Sequence, residues 1–278
     1  MPHAYITSTT LKGTGALNID GTAYDTRLRL LIENISTQVD RHTSRIFQPI
    51  TATRTFNGDD STLLLVNDLI AVTSLKEDSD QDGTFDTTWD AKDYMLLPHN
   101  AEPTEDWGRP YTYLMVNPKS EGTQDIFLDG LKRYQIVGTF GWNRTVKDTG
   151  VDTSGSLGST ATTVNVNTAG IEPGMTIFID SEQIYVESTG AAGTALTVLR
   201  GVNGAASGTH ATTAGIDYFL YPGPIAEAVM IQSSRLWKRR ESGFANQLGY
   251  PDTGIMQTWS GGLDPDVKEL LTPYRRLH

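Results

Sequence analysis

Apolar residues recur in one segment of the chain at the three- and four-residue spacing of an amphipathic helix. The segment covers residues 22–47, and its apolar positions are Leu28, Ile32, Ile35, Val39 and Ile46, with His42 filling the remaining position. Thr22 and Asp25 match a capping box, and Gln48-Pro49 ends the pattern because the residue before a proline avoids the helical conformation. We therefore predict a long N-terminal helix of about 36 Å, more than a small β domain needs to cover one face.

After this helix the apolar positions alternate with polar ones, which is the period of a β-strand. Short alternating runs separated by turn residues lie at 50–56, 62–66, 71–77, 111–116, 124–128 and 134–140. This pattern predicts a small, mostly antiparallel β region.

The composition changes at about residue 146. From there to about residue 217 the chain is rich in Gly, Ala, Thr and Ser, and Arg200 is the one Lys or Arg between residues 151 and 217. A linker shares this composition, but the alternating runs at 162–166, 175–179, 183–186 and 196–199 favour a folded segment. We interpret residues 146–218 as an inserted β barrel or sandwich module.

The helical period returns in the C-terminal part, first at residues 224–240 and then in a short helix that Asp264 caps, before a basic tail. The chain as a whole therefore predicts an α+β fold. Its helical body would combine the long N-terminal helix with the C-terminal helices, beside the small antiparallel β region and the inserted module. The predicted domains are a core of residues 1–145 and 219–278 and the module of residues 146–218. Residues 1–21, polar and rich in Gly and Thr, are expected to form an arm that orders only against a neighbouring molecule.

Composition limits the classes of function. The chain has 278 residues, 22 basic and 33 acidic, and a net charge of −11, which argues against a surface that attracts nucleic acid everywhere. Because there is no cysteine, disulfides, thiolate metal sites and cysteine nucleophiles are excluded. No apolar run approaches the roughly 18–20 residues of a membrane span, so we expect no membrane contact.

One acidic motif has the spacing of a cation-binding loop. Asp78, Asp80 and Asp82 stand at alternate positions before Gly83, and the Thr84 carbonyl and Asp86 would complete the oxygen shell. An EF-hand would have a glutamate where Trp89 stands, and the flanking residues predict strands, so the motif resembles a non-helical DxDxDG loop. One hypothesis is a structural Ca²⁺ that stiffens the hairpin, with no cofactor required by the protein, and the other is an acidic hairpin tip that is merely solvated.

Other catalytic and binding signatures are weak. The five histidines are scattered without metal-ligand spacing, and no GxSxG, P-loop or GxGxxG motif occurs, so we expect no enzyme. A basic cluster at the end of the second long helix comprises Arg235, Lys238, Arg239 and Arg240. These residues could contact phosphates, or they could compensate the helix dipole.

The order of parts resembles a known family. A β region with Trp89, Asp93-Tyr94 and Leu97-Pro98 closes on the strand of residues 137–142. Once the insertion is removed, the segments 222–228 and 263–276 follow. This organisation is similar to that of the head-tail connector (adaptor or head-completion) proteins of tailed bacteriophages, whose relatives also carry an acidic DxDxDG hairpin. The module of residues 146–218 is similar to small β modules of phage structural proteins.

The resemblance implies a homo-oligomeric ring, commonly of twelve copies, in the neck of the virion and assembled in the host cytoplasm. It would join the portal protein to a tail or neck protein, with double-stranded DNA passing through the channel without sequence recognition. The implied portal-docking residues are Leu270, Leu271, Tyr274, Arg275 and Arg276. Those implied for ring packing or the channel are Arg41, Arg45, Arg235, Lys238, Arg239 and Arg240.

Two other classes of function stay open from the sequence. The DxDxDG loop and the aromatic residues beside turns, Trp107 among them, are compatible with a calcium-dependent surface or receptor-binding β protein. A hydrolase that uses unrecognised carboxylates is the third interpretation.

Overall fold

The computed structural model describes residues 2–119, 124–240, 247–250, 255–258 and 262–276. Four helices occur in these ranges: α1 (Ser8–Lys12), α2 (Asp25–Thr43), α3 (Gly223–Arg239) and α4 (Pro265–Leu271). A short 3-10 segment, Thr272–Tyr274, continues from α4. None of the described helices is long and apolar enough to cross a membrane.

The first antiparallel sheet, sheet I, contains six strands. They are β1 (Ile50–Gly58), β2 (Leu63–Glu77), β3 (Thr87–Trp89), β4 (Tyr94–Leu97), β5 (Tyr111–Val116) and β6 (Gly130–Phe140). Their order is β1-β6-β2-β5-β4, with β3 paired to β2. One face buries an apolar core in which Trp89 stacks on Phe127 at 4.8 Å and Tyr134 meets both rings edge-on.

The second sheet, sheet II, also contains six strands. They are β7 (Thr145–Asp152), β8 (Thr163–Asn165), β9 (Thr176–Ile179), β10 (Glu182–Thr189), β11 (Ala195–Leu199) and β12 (Gly215–Leu220), in the order β7-β12-β9-β10-β11-β8. A bridge between Thr153 and Val166 joins the ends of the two outer strands. Because the outer strands meet, the sheet closes around its own core of Val, Ile and Leu side chains. A two-stranded sheet of β13 (Gln247–Tyr250) and β14 (Ile255–Thr258) follows α3.

The predicted α+β fold with a helical body and a long N-terminal helix is wrong. The described chain is mostly β, with two sheets of six strands each and four short helices. Helix α2 has 19 residues, about 28 Å, because it begins only at Asp25 and ends at Thr43. Tyr24 gives no side-chain cap, and Ser44 adopts a left-handed conformation (φ 55°) that stops the helix before Gln48-Pro49 is reached.

The described residues also contradict the N-terminal arm. His3, Ala4, Tyr5 and Ile6 are buried, and the Tyr5 hydroxyl donates to Asp40 on α2 at 2.5 Å. The Tyr5 backbone N–H donates to the Ser36 hydroxyl of the same helix. The N-terminal segment is therefore part of the chain's own core.

The chain divides into two compact units. The sheet II unit comprises Met1–Arg45, Lys147–Val202 and Ala206–His278, and it contains helices α1 to α4. The sheet I unit comprises Ile46–Val146 and Asn203–Ala205. Within the sheet II unit, the Tyr185 hydroxyl on β10 donates to the Glu33 carboxylate on α2 at 2.5 Å.

Candidate functional site

The acidic motif forms the tip of a hairpin in the sheet I unit. Strands β2 and β3 pair antiparallel, with Glu77 opposite Thr87, so residues 78–86 are the connecting loop. The tight turn depends on Gly83, whose φ of 93° is rarely adopted by residues with a side chain. The local sequence therefore folds as a strand-loop-strand element, in agreement with the absence of an EF-hand glutamate.

Three of the predicted ligands converge. One carboxylate oxygen from each of Asp78, Asp80 and Asp82 lies within 4.8 Å of the others, and Asp78 is buried whereas the other two are exposed. Asp78 accepts the backbone N–H groups of Asp82 and Gly83 at 3.1 and 2.9 Å, which fixes its carboxylate in the loop. Hard carboxylate oxygens in this arrangement fit a calcium ion, so calcium binding stays a prediction that the geometry permits.

The other two predicted ligands have different contacts. The Asp86 carboxylate accepts the backbone N–H and the hydroxyl of Ser79, at 3.4 and 3.1 Å, and these hydrogen bonds lower the pKa of Asp86. Thr84 donates its backbone N–H to Asp82 at 2.7 Å. Asp86 is therefore held by Ser79 and is not one of the three converging carboxylates.

A buried ion pair that sequence reasoning missed anchors the base of this loop. Arg133 on β6 donates from Nε to Glu77 at 2.8 Å and from Nη2 to the Ser79 carbonyl at 2.9 Å. The Trp89 indole N–H donates to the other oxygen of Glu77 at 3.1 Å. One signal was present in the sequence: counting by two from the buried Leu75 places Glu77 on the inward face of β2, where a carboxylate needs a partner.

The structure brings together one predicted ring-packing residue and part of the predicted portal-docking tail. Arg45 donates from Nε to the Tyr274 carbonyl at 2.7 Å, and the Arg276 backbone N–H donates to the Thr43 carbonyl at 2.8 Å. Leu271 is completely buried, Leu270 is half-buried and Arg275 is exposed. The tail therefore lies against the end of α2 in the chain's own fold, and its contact with a portal stays a prediction.

The remaining predicted basic residues are dispersed. Arg235 forms ion pairs with Asp264 and Asp266 near the start of α4. The guanidinium of Arg240 lies 4.0 Å from the centroid of the Trp237 ring. Arg41 and Lys238 are exposed, and Arg239 is half-buried. Arg235 and Arg240 thus have partners within the chain. This favours a role in stabilising the end of the helix, and it argues against one continuous phosphate-binding surface.

Sheet II contains a second buried charge network that sequence reasoning missed. The Glu182 carboxylate accepts from Arg200 at 2.7 and 2.6 Å and contacts His210 at 2.9 Å, and His210 in turn contacts Asp180 at 2.6 Å. Burial would raise the pKa of Glu182, but the hydrogen bonds from Arg200, His210 and two backbone N–H groups outweigh it and lower the pKa to about 2. The available signal was Arg200 itself, a solitary cation in a segment of low charge.

On the face of sheet I opposite its core, the part formed by the start of β2 with β5 and β4 is apolar. Leu65 pairs with Tyr113 and Tyr113 with Leu97, while the next row aligns Leu63, Met115 and Met95. Leu63, Leu65 and Tyr113 are exposed by 39%, 59% and 40%, and the other three are half-buried. We call these six residues the apolar face. An exposed apolar patch is a candidate surface for a protein contact.

Comparison of the chain with protein-family models and with curated proteins finds no match. The connector resemblance therefore rests on the order of motifs in the sequence, and the function is a proposal.

Calcium should raise the melting temperature of the protein by several degrees relative to EDTA, because an ion bound only to the folded state stabilises it by about 2.7 kcal/mol at a hundred times its Kd. Differential scanning calorimetry of the full chain measures this shift. In the variant Asp80→Asn/Asp82→Asn the shift should vanish. The control Asp59→Asn/Asp125→Asn removes two exposed acids of the same unit and should keep it. Equal melting temperatures in calcium and EDTA would exclude the site.

Proposed function

We propose that this protein is a structural subunit of a tailed-bacteriophage virion. It would form an adaptor ring between the portal vertex of the head and the tail, with double-stranded DNA passing through the ring. The order of motifs supports the family, and the apolar face of sheet I is the observation that carries an assembly role.

The apolar face supports assembly because strands β2, β5 and β4 carry apolar residues on both sides. Leu64 and Leu114 are buried in the core of sheet I, while Leu65 and Tyr113 point to the other side. A strand that is apolar on both faces is typical of a sheet that is covered on both faces. In the proposed ring the second cover is a neighbouring copy of this chain.

The net negative charge of the chain supports a channel through which DNA passes without adhering to the protein. With a net charge of −11, the protein repels phosphates on average, and the long-range field favours a duplex that slides without binding. Assembly of acidic copies must then rely on buried apolar contacts, which the apolar face supplies.

The contact with the portal is proposed for the exposed and half-buried residues of the tail. Arg275 is exposed, and Leu270 and Tyr274 are half-buried, while the backbone hydrogen bonds of Tyr274 and Arg276 to the end of α2 hold the segment in one conformation. A segment that is already ordered loses less conformational entropy on docking.

Rings should form when the full chain is concentrated or mixed with purified portal complexes, and negative-stain microscopy and sedimentation velocity detect them. The variant Leu65→Ser/Tyr113→Ser should reduce ring formation at least tenfold, because it makes the centre of the apolar face polar. Its melting temperature should stay close to that of the wild type, since both side chains are solvent-exposed in the isolated chain.

The matched control for this experiment is Leu131→Ser, since Leu131 is 83% exposed on β6 and lies outside the apolar face. This control should form rings as the wild type does. Ring formation by Leu65→Ser/Tyr113→Ser at wild-type concentration would remove the apolar face from the assembly.

The second candidate is a calcium-dependent surface or receptor-binding β protein, and the convergence of Asp78, Asp80 and Asp82 favours it. It predicts a monomer that is retained on glycans or host cells in calcium and released by EDTA. Such retention, together with the absence of rings on portal complexes, would favour this candidate over the adaptor.

A further inference from the structure

The sheet II unit contains a half-open cavity of about 360 Å³. Its walls come from the segment that precedes α1, the turn before β9, the end of β12 and the start of α3. A volume of this size is within the usual range of small-molecule sites. All of these segments belong to one compact unit, so the cavity is a feature of a single folded body.

Aromatic rings form much of the wall. Tyr5, Tyr218, Phe219 and Tyr221 all line the cavity. The rings of Tyr5 and Tyr221 pack edge-to-face with centroids 4.7 Å apart, and Tyr5 is tied to Asp40 by its hydroxyl. A hydrogen bond therefore fixes the Tyr5 ring, and packing against it positions the Tyr221 ring, before any ligand binds.

The charge of the cavity is negative. Glu172 is the one charged residue of the lining, and it is half-buried. Within the described part of the chain, its carboxylate has neither a hydrogen bond nor an ion pair. Burial raises the pKa of the Tyr221 phenol, and the negative charge of Asp40 adds to this effect.

These observations select one class of ligand. An anion would be repelled by Glu172, and a neutral apolar molecule would bury its carboxylate further without giving it a partner. An organic cation would satisfy the carboxylate with a charge-assisted hydrogen bond and would place positive charge against aromatic faces. We propose that this cavity binds an ammonium or guanidinium group carried on a short apolar stem.

This site is independent of the proposed adaptor function. The same chemistry is available from a free alkylamine and from a lysine or arginine side chain of another protein, and the experiment below separates these two sources.

Isothermal titration calorimetry of the full chain tests the site with n-butylammonium, n-butylguanidinium and the neutral analogue n-butanol. We expect both cations to bind at least tenfold more tightly than butanol, since the three molecules share the stem and differ in charge. Equal binding of butanol, or no heat from either cation up to about 10 mM, would overturn the proposal.

The variant Glu172→Gln keeps the shape of the cavity and removes its charge, so it should clearly reduce the preference for the cations over butanol, and the aromatic rings account for what remains. Glu269→Gln is the matched control, because Glu269 is exposed on α4 and does not line the cavity, and it should bind as the wild type does. Circular dichroism confirms that both variants are folded. An unchanged preference in folded Glu172→Gln would also overturn the proposal, and the ligand comparison on the wild type stands without any variant.

The capped tripeptide Gly-Lys-Gly distinguishes the sources of the cation. Binding of this peptide as tight as that of butylammonium would identify a protein side chain as a fitting ligand. Binding of butylammonium with exclusion of the peptide would restrict the site to free amines.

Discussion

Replacing Glu182 by glutamine should destabilise the sheet II unit by about 3–5 kcal/mol, since removing one partner of a buried ion pair leaves the other without its counter-charge. Glu182 and Arg200 are 1% and 7% exposed at their side chains, and the carboxylate also accepts the backbone N–H groups of Gly201 and Gly208. The amide NH₂ of glutamine is a hydrogen-bond donor, and it would face the donor groups that the carboxylate now accepts from. The expected loss is therefore larger than that of a surface charge.

Hydrogen–deuterium exchange of the full chain is the appropriate measurement, because it reports on strands β9 to β11 separately from the sheet I unit. The matched control is Glu187→Gln on the same strand, where the side chain is half-buried, and its effect should stay within about 0.5 kcal/mol. Protection of β10 in Glu182→Gln equal to that of the wild type would show that the network does not hold the sheet.

Acid should weaken the same sheet. The pKa of Glu182 is lowered from its ordinary value of 4.5 to about 2, so the folded state holds the charged form more strongly than the unfolded chain does. This contribution to stability is complete above about pH 4.5 and is lost progressively as the pH falls towards 2. Glu182→Gln should remove this part of the acid sensitivity.

Helix α2 shows what the sequence could predict about the fold and what it could not. The apolar period located the helix, and Leu28, Ile32, Ile35 and Val39 are all buried. Its ends were set by backbone geometry at Tyr24 and Ser44 and not by the capping residues that the sequence suggested. The spacing of the apolar residues therefore predicted which side of α2 is buried. It did not predict the length of the helix, which depends on the turns at its two ends.

Strand pairing in sheet I could not be predicted, because it joins segments far apart in the chain. Strand β6 lies between β1 and β2, and β2 runs through Asn67 and Asp68 where the sequence suggested an interruption. The burial of Tyr5 also depends on contacts between distant parts of the chain, since its partners Ser36 and Asp40 lie on α2. Polar composition predicted an arm that orders only against a neighbouring molecule, whereas contacts with α2 of the same chain order it.

The candidate site was likewise predictable only where its residues are close together in the sequence. The spacing of Asp78, Asp80 and Asp82 was sufficient to predict their convergence, since alternate positions before a glycine turn point to one centre. The pairing of Arg133 with Glu77 could not be predicted from local sequence, because 56 residues separate the two. The local ligand motif was predictable, and the buried base that holds it was not.

The buried ion pair of Glu77 and Arg133 beneath the acidic loop leads to the second prediction of a large loss of stability. Replacing Arg133 by methionine should destabilise the sheet I unit by about 3–5 kcal/mol, because Glu77 would remain buried with the Trp89 indole as its partner and without a positive charge. Lys132→Met is the matched control, since Lys132 is the exposed neighbour on β6, and it should cost less than about 0.5 kcal/mol. Denaturant unfolding followed by tryptophan fluorescence measures both.

A double-mutant cycle with Glu77→Gln separates the ion pair from the loss of packing. If the pair is the cause, the double variant Glu77→Gln/Arg133→Met should cost less than the sum of the single variants by at least about 1 kcal/mol, because the second change removes the charge that the first left uncompensated. Additive costs would instead assign the loss to the side-chain packing of Arg133. Since all three converging aspartates remain in Arg133→Met, a calcium response that persists in this variant would show that the ion organises the hairpin tip independently of its buried base.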